Sequence, residues 1–357
     1  MPALHFIVPG PIDQLTGGYL FDRRLVEGLR ERGWTVDLIE LAGQFPFADE
    51  QACREAERAC ARCADEACVV IDGLALPAFQ EALPRHADRL RVVGFVHHPL
   101  SLETGLSVSA REALAKIEAR LWPMLRGIVC PSADSARAVS SCGVPAERIA
   151  ITPPGTDAVQ AGEPFRNGTL DAADPVVRLL AVGTVTARKG HLLLIEALAA
   201  LDPRLAWQLD CIGSLERDAA TVEALRSAIA RTGLGSRVSL YGEVPRARLD
   251  QAYGQADLFV LPSWHEGYGM VFAEALAWGL PVIATTGGAL PEVVPPSAGR
   301  LVAPGDRQAL SRALAELLGD AALRRSLSMG AREAARRLPD WQQATGTWIE
   351  AVMRIAK

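Results

Sequence analysis

The residues of this chain best suited to chemistry lie between Leu261 and Ala275. A strand-like apolar run ends near Pro262, a glycine-containing turn follows, and a helical pattern begins around Met270. That order puts Glu266 at the carboxyl end of a strand and Glu274 in the first or second turn of a helix. Gly267 and Gly269 let the backbone approach a ligand closely and take positive φ. The unsatisfied N–H groups of a helix start suit an anion such as phosphate. A carboxylate one turn further on can accept a pair of hydrogen bonds from ribose hydroxyls. A plainer account also fits these residues taken alone: Glu274 as a partner of the helix dipole and Glu266 as a solvated loop residue.

Other strand-end loops shift the balance toward a ligand site. Gly183, Thr184, Arg188, Lys189 and Gly190 follow another apolar run and precede a helix. Arg188 and Lys189 are adjacent cations, placed to neutralise a diphosphate leaving group, although Arg and Lys are ordinarily surface charges. The first apolar run of the chain ends in Pro9-Gly10-Pro11, and Gly17-Gly18 opens the next helix, a weaker signal because glycine also punctuates turns. Neither half carries GxGxxG after its first strand or a GxxxxGK[ST] loop, which disfavours a dinucleotide-dependent dehydrogenase and a P-loop NTPase. No Asp-x-Asp occurs, so the commonest carboxylate pair for a nucleotide-bound metal is missing, and no metal site is assigned.

The elements that must hold these loops alternate throughout. Strands are predicted at Leu4–Pro9, Thr35–Leu41, Ala67–Asp72, Arg91–His97, Gly127–Pro131 and Ile149–Pro153. After a Gly-, Asp-, Asn- and Pro-rich stretch they resume at Val177–Val182, Trp207–Gly213, Val238–Tyr241, Leu258–Pro262 and Pro281–Thr285. Amphipathic helical patterns lie between them, and the tail from Ala321 to Ala356 is helical with a break at Leu338-Pro339. This alternation signals α/β architecture with parallel sheets covered on both faces. It implies two Rossmann-like doubly wound domains facing a cleft, with ligands beyond the carboxyl ends of the strands. The expected boundaries are 1–160, a linker over 161–176, a second domain over 177–338, and a terminal helix over 339–357.

Bulk properties bound the function. A chain of 357 residues, 49% apolar, is long enough for two cores. A net charge of −5, with neither half basic, argues against nucleic acid as a partner and does not support membrane association. The N-terminus shows no charged n-region and no cleavage site, so a cytoplasmic protein is expected. Seven cysteines without an export signal are expected to be reduced thiols. Cys60-Ala-Arg-Cys63 has zinc-like spacing, but Cys53, Cys60 and Cys63 recur at helical intervals in an Ala-rich segment, where cysteine packs as a small hydrophobe.

Together, the Glu266–Glu274 pair, the Gly183-to-Gly190 loop, Leu258–Ser263, Glu274–Ala284 and Gly287–Val294 resemble the nucleotide-sugar domain of GT-B retaining glycosyltransferases of family 4. The first half is similar to that family's acceptor domain more loosely, through Gly17-Gly18, His97-His98-Pro99 and Pro153–Asp157. The resemblance implies a hexose-type transfer from a nucleotide diphosphate sugar to a small-molecule, glycan or lipid-linked hydroxyl, with no cofactor. It implies that Glu274 binds ribose, that Glu266 faces the donor sugar, and that the terminal helix over 339–357 packs back on the first domain. Backbone N–H groups of Gly269, Met270 and Val271 would meet sugar and phosphate, and Gly18 would border the phosphates. Lys189 would stabilise the departing diphosphate, and base contacts would come from around Glu243-Val244. Where the family often has an arginine after the strand-end glycine, this chain has Thr184, leaving Arg188 as the alternative second cation. A histidine at the end of the fourth strand approaches the donor sugar in this family. Alternation lets one of His97 and His98 do so, and His98, beside Pro99, is preferred. His265, beside Glu266, is a further donor-side candidate. A nucleotide-sugar epimerase of the same fold and a non-catalytic nucleotide-sugar sensor are the alternative functions.

Overall fold

A computed structural model describes residues 3–159 and 176–357. The predicted linker at 161–176 lies, except for Val176, outside the described residues. Contacts divide the chain into two units, 1–155 with 339–357, and 156–338.

The first unit alternates β1 (Ala3–Pro9), α1 (Gly17–Glu31), β2 (Thr35–Leu41), α2 (Glu50–Arg62), β3 (Cys68–Asp72), α3 (Ala82–His86), β4 (Arg91–Phe95), α4 (Val108–Leu121), β5 (Gly127–Cys130), α5 (Ala133–Ser141) and β6 (Ile149–Ile151). The strands form one parallel sheet in the order β2-β1-β3-β4-β5-β6. Phe6, Val69–Ile71, Val92, Val93 and Phe95 are buried, the near-continuous apolar pattern of strands covered on both faces. Asp49, Ser107 and Ser132 cap α2, α4 and α5 by accepting from backbone N–H groups two residues into each helix or beyond.

The second unit contains β7 (Val177–Val182), α6 (His191–Ala199), β8 (Trp207–Ile212), α7 (Ala219–Arg231), β9 (Val238–Leu240), α8 (Arg246–Gln255), β10 (Leu258–Val260), α9 (Met270–Ala277), β11 (Val282–Thr285), α10 (Leu290–Val293), β12 (Gly299–Val302), α11 (Arg307–Gly319) and α12 (Ala321–Ala335). Its parallel sheet runs β12-β11-β10-β7-β8-β9. The strand at Gly299–Val302 was not among those predicted, because Gly299-Arg300-Leu301-Val302 is short and broken by a charge.

The last helix, α13 (Trp341–Ile355), belongs to the first unit. A capping box formed by Asp340 and Gln343 starts it. Trp348 is fully buried, its ring 5.8 Å from Phe6 and 5.9 Å from Phe95. Trp341 lies 5.9 Å from Phe21, and the Arg24 guanidinium stands over its ring, 4.9 Å from the centroid. Among the described residues no helix is long and apolar enough to cross a membrane.

Candidate functional site

Each sheet has one place where successive strands turn from growing in one direction to growing in the other. In the second sheet it lies between β7 and β10, since β8 and β9 extend one way and β10 to β12 the other. Loops leaving the carboxyl ends of two such strands part to opposite faces and leave a crevice. The two loops there are the ones holding Arg188, Lys189 and Glu266.

Local packing locks these loops together. Gly190 has φ of 70°, and a Cβ there would stand 2.2 Å from the carbonyl oxygen of Pro262. Only glycine permits both the left-handed turn and that approach. Trp264 N–H donates to the Arg188 carbonyl at 2.8 Å, and the Arg188 guanidinium donates to the His265 carbonyl at 2.9 Å. Lys189 Nζ then lies 2.6 Å from Glu266 Oε1 and Arg188 Nη1 3.3 Å from Oε2. Glu266 is 5% exposed and also bridges Gly288 through its backbone. Burial alone would raise the Glu266 carboxyl, but Lys189 and Arg188 outweigh it and bring it down to about 2. The solvated Glu266 of the plainer account is therefore not what forms; the residue is a buried anion clamped by two cations.

Gly269, at φ of 95°, caps α9, whose first N–H groups belong to Met270 and Val271. Glu274 lies one turn in. Its Oε1 accepts from Arg246 at 2.9 Å and its Oε2 from the Tyr253 hydroxyl at 2.9 Å. Burial pushes its carboxyl up, with Arg246 and Tyr253 opposing. Arg246 and Tyr253 escaped the sequence reading. Both sit on α8, far from Glu274 in sequence, and neither belongs to a motif. Gly183 lies near the Lys189 side chain, 3.6 Å from a hypothetical Cβ to Cδ, with Thr184 following it. Glu243 is exposed and Val244 half-buried in the loop after β9.

In the first unit Gly17 and Gly18 form the first turn of α1. The ring beside Gly18 is that of His97, 3.3 Å from a hypothetical Cβ, and it pairs with Asp22 and Asp72. His98, the preferred candidate, instead meets Glu103 at 2.9 Å. β4 stops at Phe95, two residues before its predicted end, so strand alternation does not govern this pair. Among the described residues Asp22, Asp72 and His97 are the one set of three metal-ligating side chains within 4.8 Å of each other, and they already hydrogen-bond mutually. The cysteines are free; burial pushes the Cys60 thiol up to about 12 and the Cys68 thiol to about 11, so they remain protonated.

Two doubly wound parallel sheets with these strand-end loops are the Rossmann-like pair of the GT-B fold. Sucrose-phosphate synthase from Thermosynechococcus elongatus superposes with a TM-score of 0.82 at 22% identity, covering 98% of each chain. Anabaena HepE, in a complex with UDP-glucose, gives 0.75 at 20% identity over 98% of this chain and 99% of that one. Residues 176–320 match the model of the Glycosyl transferases group 1 family. A D-inositol 3-phosphate glycosyltransferase of Xylanimonas cellulosilytica is 30% identical over 60% of this chain and 53% of its own length. An MMP alpha-(1->4)-mannosyltransferase of Mycolicibacterium hassiacum is 27% identical over 74% and 66%, respectively. The matched region thus spans less than two thirds of either relative.

Proposed function

We propose that this protein is a retaining glycosyltransferase that moves a hexose-type sugar from a nucleoside diphosphate to a hydroxyl acceptor without a metal. The observation that carries this reading is the buried Glu266 clamped by Lys189 and Arg188 at the crevice of the second sheet. Breaking an anomeric C–O bond makes an oxocarbenium-like centre and puts negative charge on the β-phosphate. Cations fixed in advance by a buried carboxylate, together with the N–H groups opening α9, meet that charge without reorganising. Glu266 faces the sugar, and Glu274 takes the ribose hydroxyls. The acceptor attacks the face that the leaving group vacates, the departing phosphate takes its proton, and no covalent glycosyl-enzyme forms. HepE binding UDP-glucose and the transferase names of the relatives support the donor class.

Lys189→Ala is expected to lower kcat by about 10²–10³-fold while weakening donor binding far less. Equal losses in kcat and affinity would mean uniform binding and would count against the role given to Lys189. Glu274→Gln is expected to weaken nucleotide binding with a smaller effect on kcat. A thermal-shift screen against UDP, GDP, ADP and dTDP, then the matching sugars, identifies the donor; no stabilisation by any of them would sink the reading.

A further inference from the structure

The first sheet has its own reversal point, between β1 and β3, and a second buried charge cluster stands there. Asp72 ends β3, His97 lies just past β4, and Asp22 reaches in from the second turn of α1. His97 Nε2 is 3.1 Å from Asp22 Oδ1 and 3.1 Å from Asp72 Oδ2. The two carboxylates also hydrogen-bond each other, which requires a proton between them. Asp72 Oδ1 accepts from the Leu74 N–H at 2.7 Å. The side chains of Asp22 and Asp72 are 1% and 4% exposed, whereas the His97 ring keeps 21%. Phe95 and Phe21 wall the ring, with centroids 4.6 Å and 5.8 Å away.

We propose that Asp22 is a positioning residue for the transfer reaction: with Asp72 it grips His97 by Nε2 and keeps it an imidazolium, so that Nδ1–H is the donor offered to a substrate oxygen. The proposal rests on the glycosyltransferase reading and adds to it a residue outside the motifs that carry it. Nε2 faces two acceptors, so it must carry hydrogen, and Nδ1 is the nitrogen left for a ligand. Buried charges persist when they are paired, and one proton between the carboxylates with a second on the ring leaves the cluster uncharged overall. Burial, reinforced by Asp72, pushes Asp22 up to about 7. Burial would lower His97, but Asp22 and Asp72 outweigh it and raise the ring to about 10. Among the described residues the charged groups on this ring are Asp22 from α1 and Asp72 from β3. α5 contributes Ser135, whose hydroxyl donates to the His97 carbonyl at 3.0 Å, and His98 turns to Glu103.

Asp22→Asn keeps the size of the side chain and one oxygen that can accept from His97 Nε2–H, and removes the charge. The first readout is nitrogen NMR of the full-length, ring-labelled protein, with His97→Gln assigning the signal. The wild-type ring should titrate far above an ordinary histidine with Nε2 protonated, and D22N should lower its midpoint by about one unit or more. The second readout is the pH profile of kcat/KM with UDP-glucose, or with the nucleotide sugar found by the screen. The loss of activity at high pH should begin at lower pH in D22N by the same amount, and Asp22→Glu should restore it. A wild-type ring titrating near 6.5, or one that does not move in D22N, overturns the proposal. A shifted ring with an unmoved activity profile also overturns it, because Asp22 would then be structural. If no nucleotide sugar is turned over, the transferase reading fails separately, and the ring titration still decides whether Asp22 holds His97 charged.

Discussion

Glu266 and His191 show how far a fold can move a single ionisable group. Glu266 titrates at about 2 instead of 4.5, because two cations outweigh its burial. The unfolded chain takes up this proton before the folded one, so stability present above pH 4.5 is lost as the pH falls through about 2. His191 moves the folded proton the same way by a different route. Its ring nitrogens lack a hydrogen-bond partner among the described residues, and burial, with the charge of Lys189 added, pushes the ring from 6.5 down to about 4. Below pH 6.5 the unfolded ring is protonated and the folded one is not, so stability drains between pH 6.5 and about 4. The full difference is on the order of 3 kcal/mol. His191→Leu should therefore remove most of this slope and raise stability at pH 4.5 relative to wild type. Urea unfolding at pH 7 and pH 4.5 measures it; an unchanged slope would show that the ring is not the group titrating.

At the scale of elements, the loop from β7 to α6 holds the site by one residue without a side chain. Gly190 serves as the cap of α6 and lies against the β10 loop. Gly190→Ala would combine left-handed strain with a contact that the Pro262 backbone cannot escape cheaply. A loss of about 2 kcal/mol or more is expected, with Lys189 displaced from Glu266. Denaturant unfolding reads the first effect, and donor affinity the second. Wild-type behaviour in both would mean that the two loops are not locked. Periodicity placed β2 and β7 at Thr35–Leu41 and Val177–Val182 as they occur, because their apolar runs end at polar or glycine-bearing turns. Several other strands, β4 and β10 among them, stop a residue or two before their apolar runs do, where Val96 and Leu261 continue the apolar pattern as buried loop residues.

At the scale of the molecule, the last helix belongs to the first unit although the second unit precedes it in the chain. Trp348 fills the space beside Phe6 and Phe95, and Arg32 donates to the Gln342 carbonyl at 2.6 Å. Gly28 lets α13 approach α1, since a Cβ there would meet the Thr345 hydroxyl oxygen at 2.5 Å. Ending the chain after Leu338 should uncover this apolar face and destabilise the first unit selectively. Truncation of one such tryptophan in a core ordinarily costs about 3–5 kcal/mol. Hydrogen exchange should show protection lost across β1 and β4 and kept across β7 and β10. Equal protection in the truncated and full chains would contradict this account.

The linear order of residues determined the alternation of elements, and with it two parallel doubly wound sheets, because each strand–helix unit carries its pattern locally. It also marked Glu266, Glu274, Lys189 and Gly190, since strand-end loops are short enough for spacing to imply position. Asp22 left a local trace, a carboxylate on the same helical stripe as the buried Leu25, Val26 and Leu29. Which groups meet was decided only by tertiary structure. Arg246 and Tyr253 reach Glu274 from another helix, and His97 rather than His98 joins Asp22 and Asp72. Such partners are set by how separate segments pack, and a pairing over 75 residues, as between Asp22 and His97, leaves no periodicity along the chain to read.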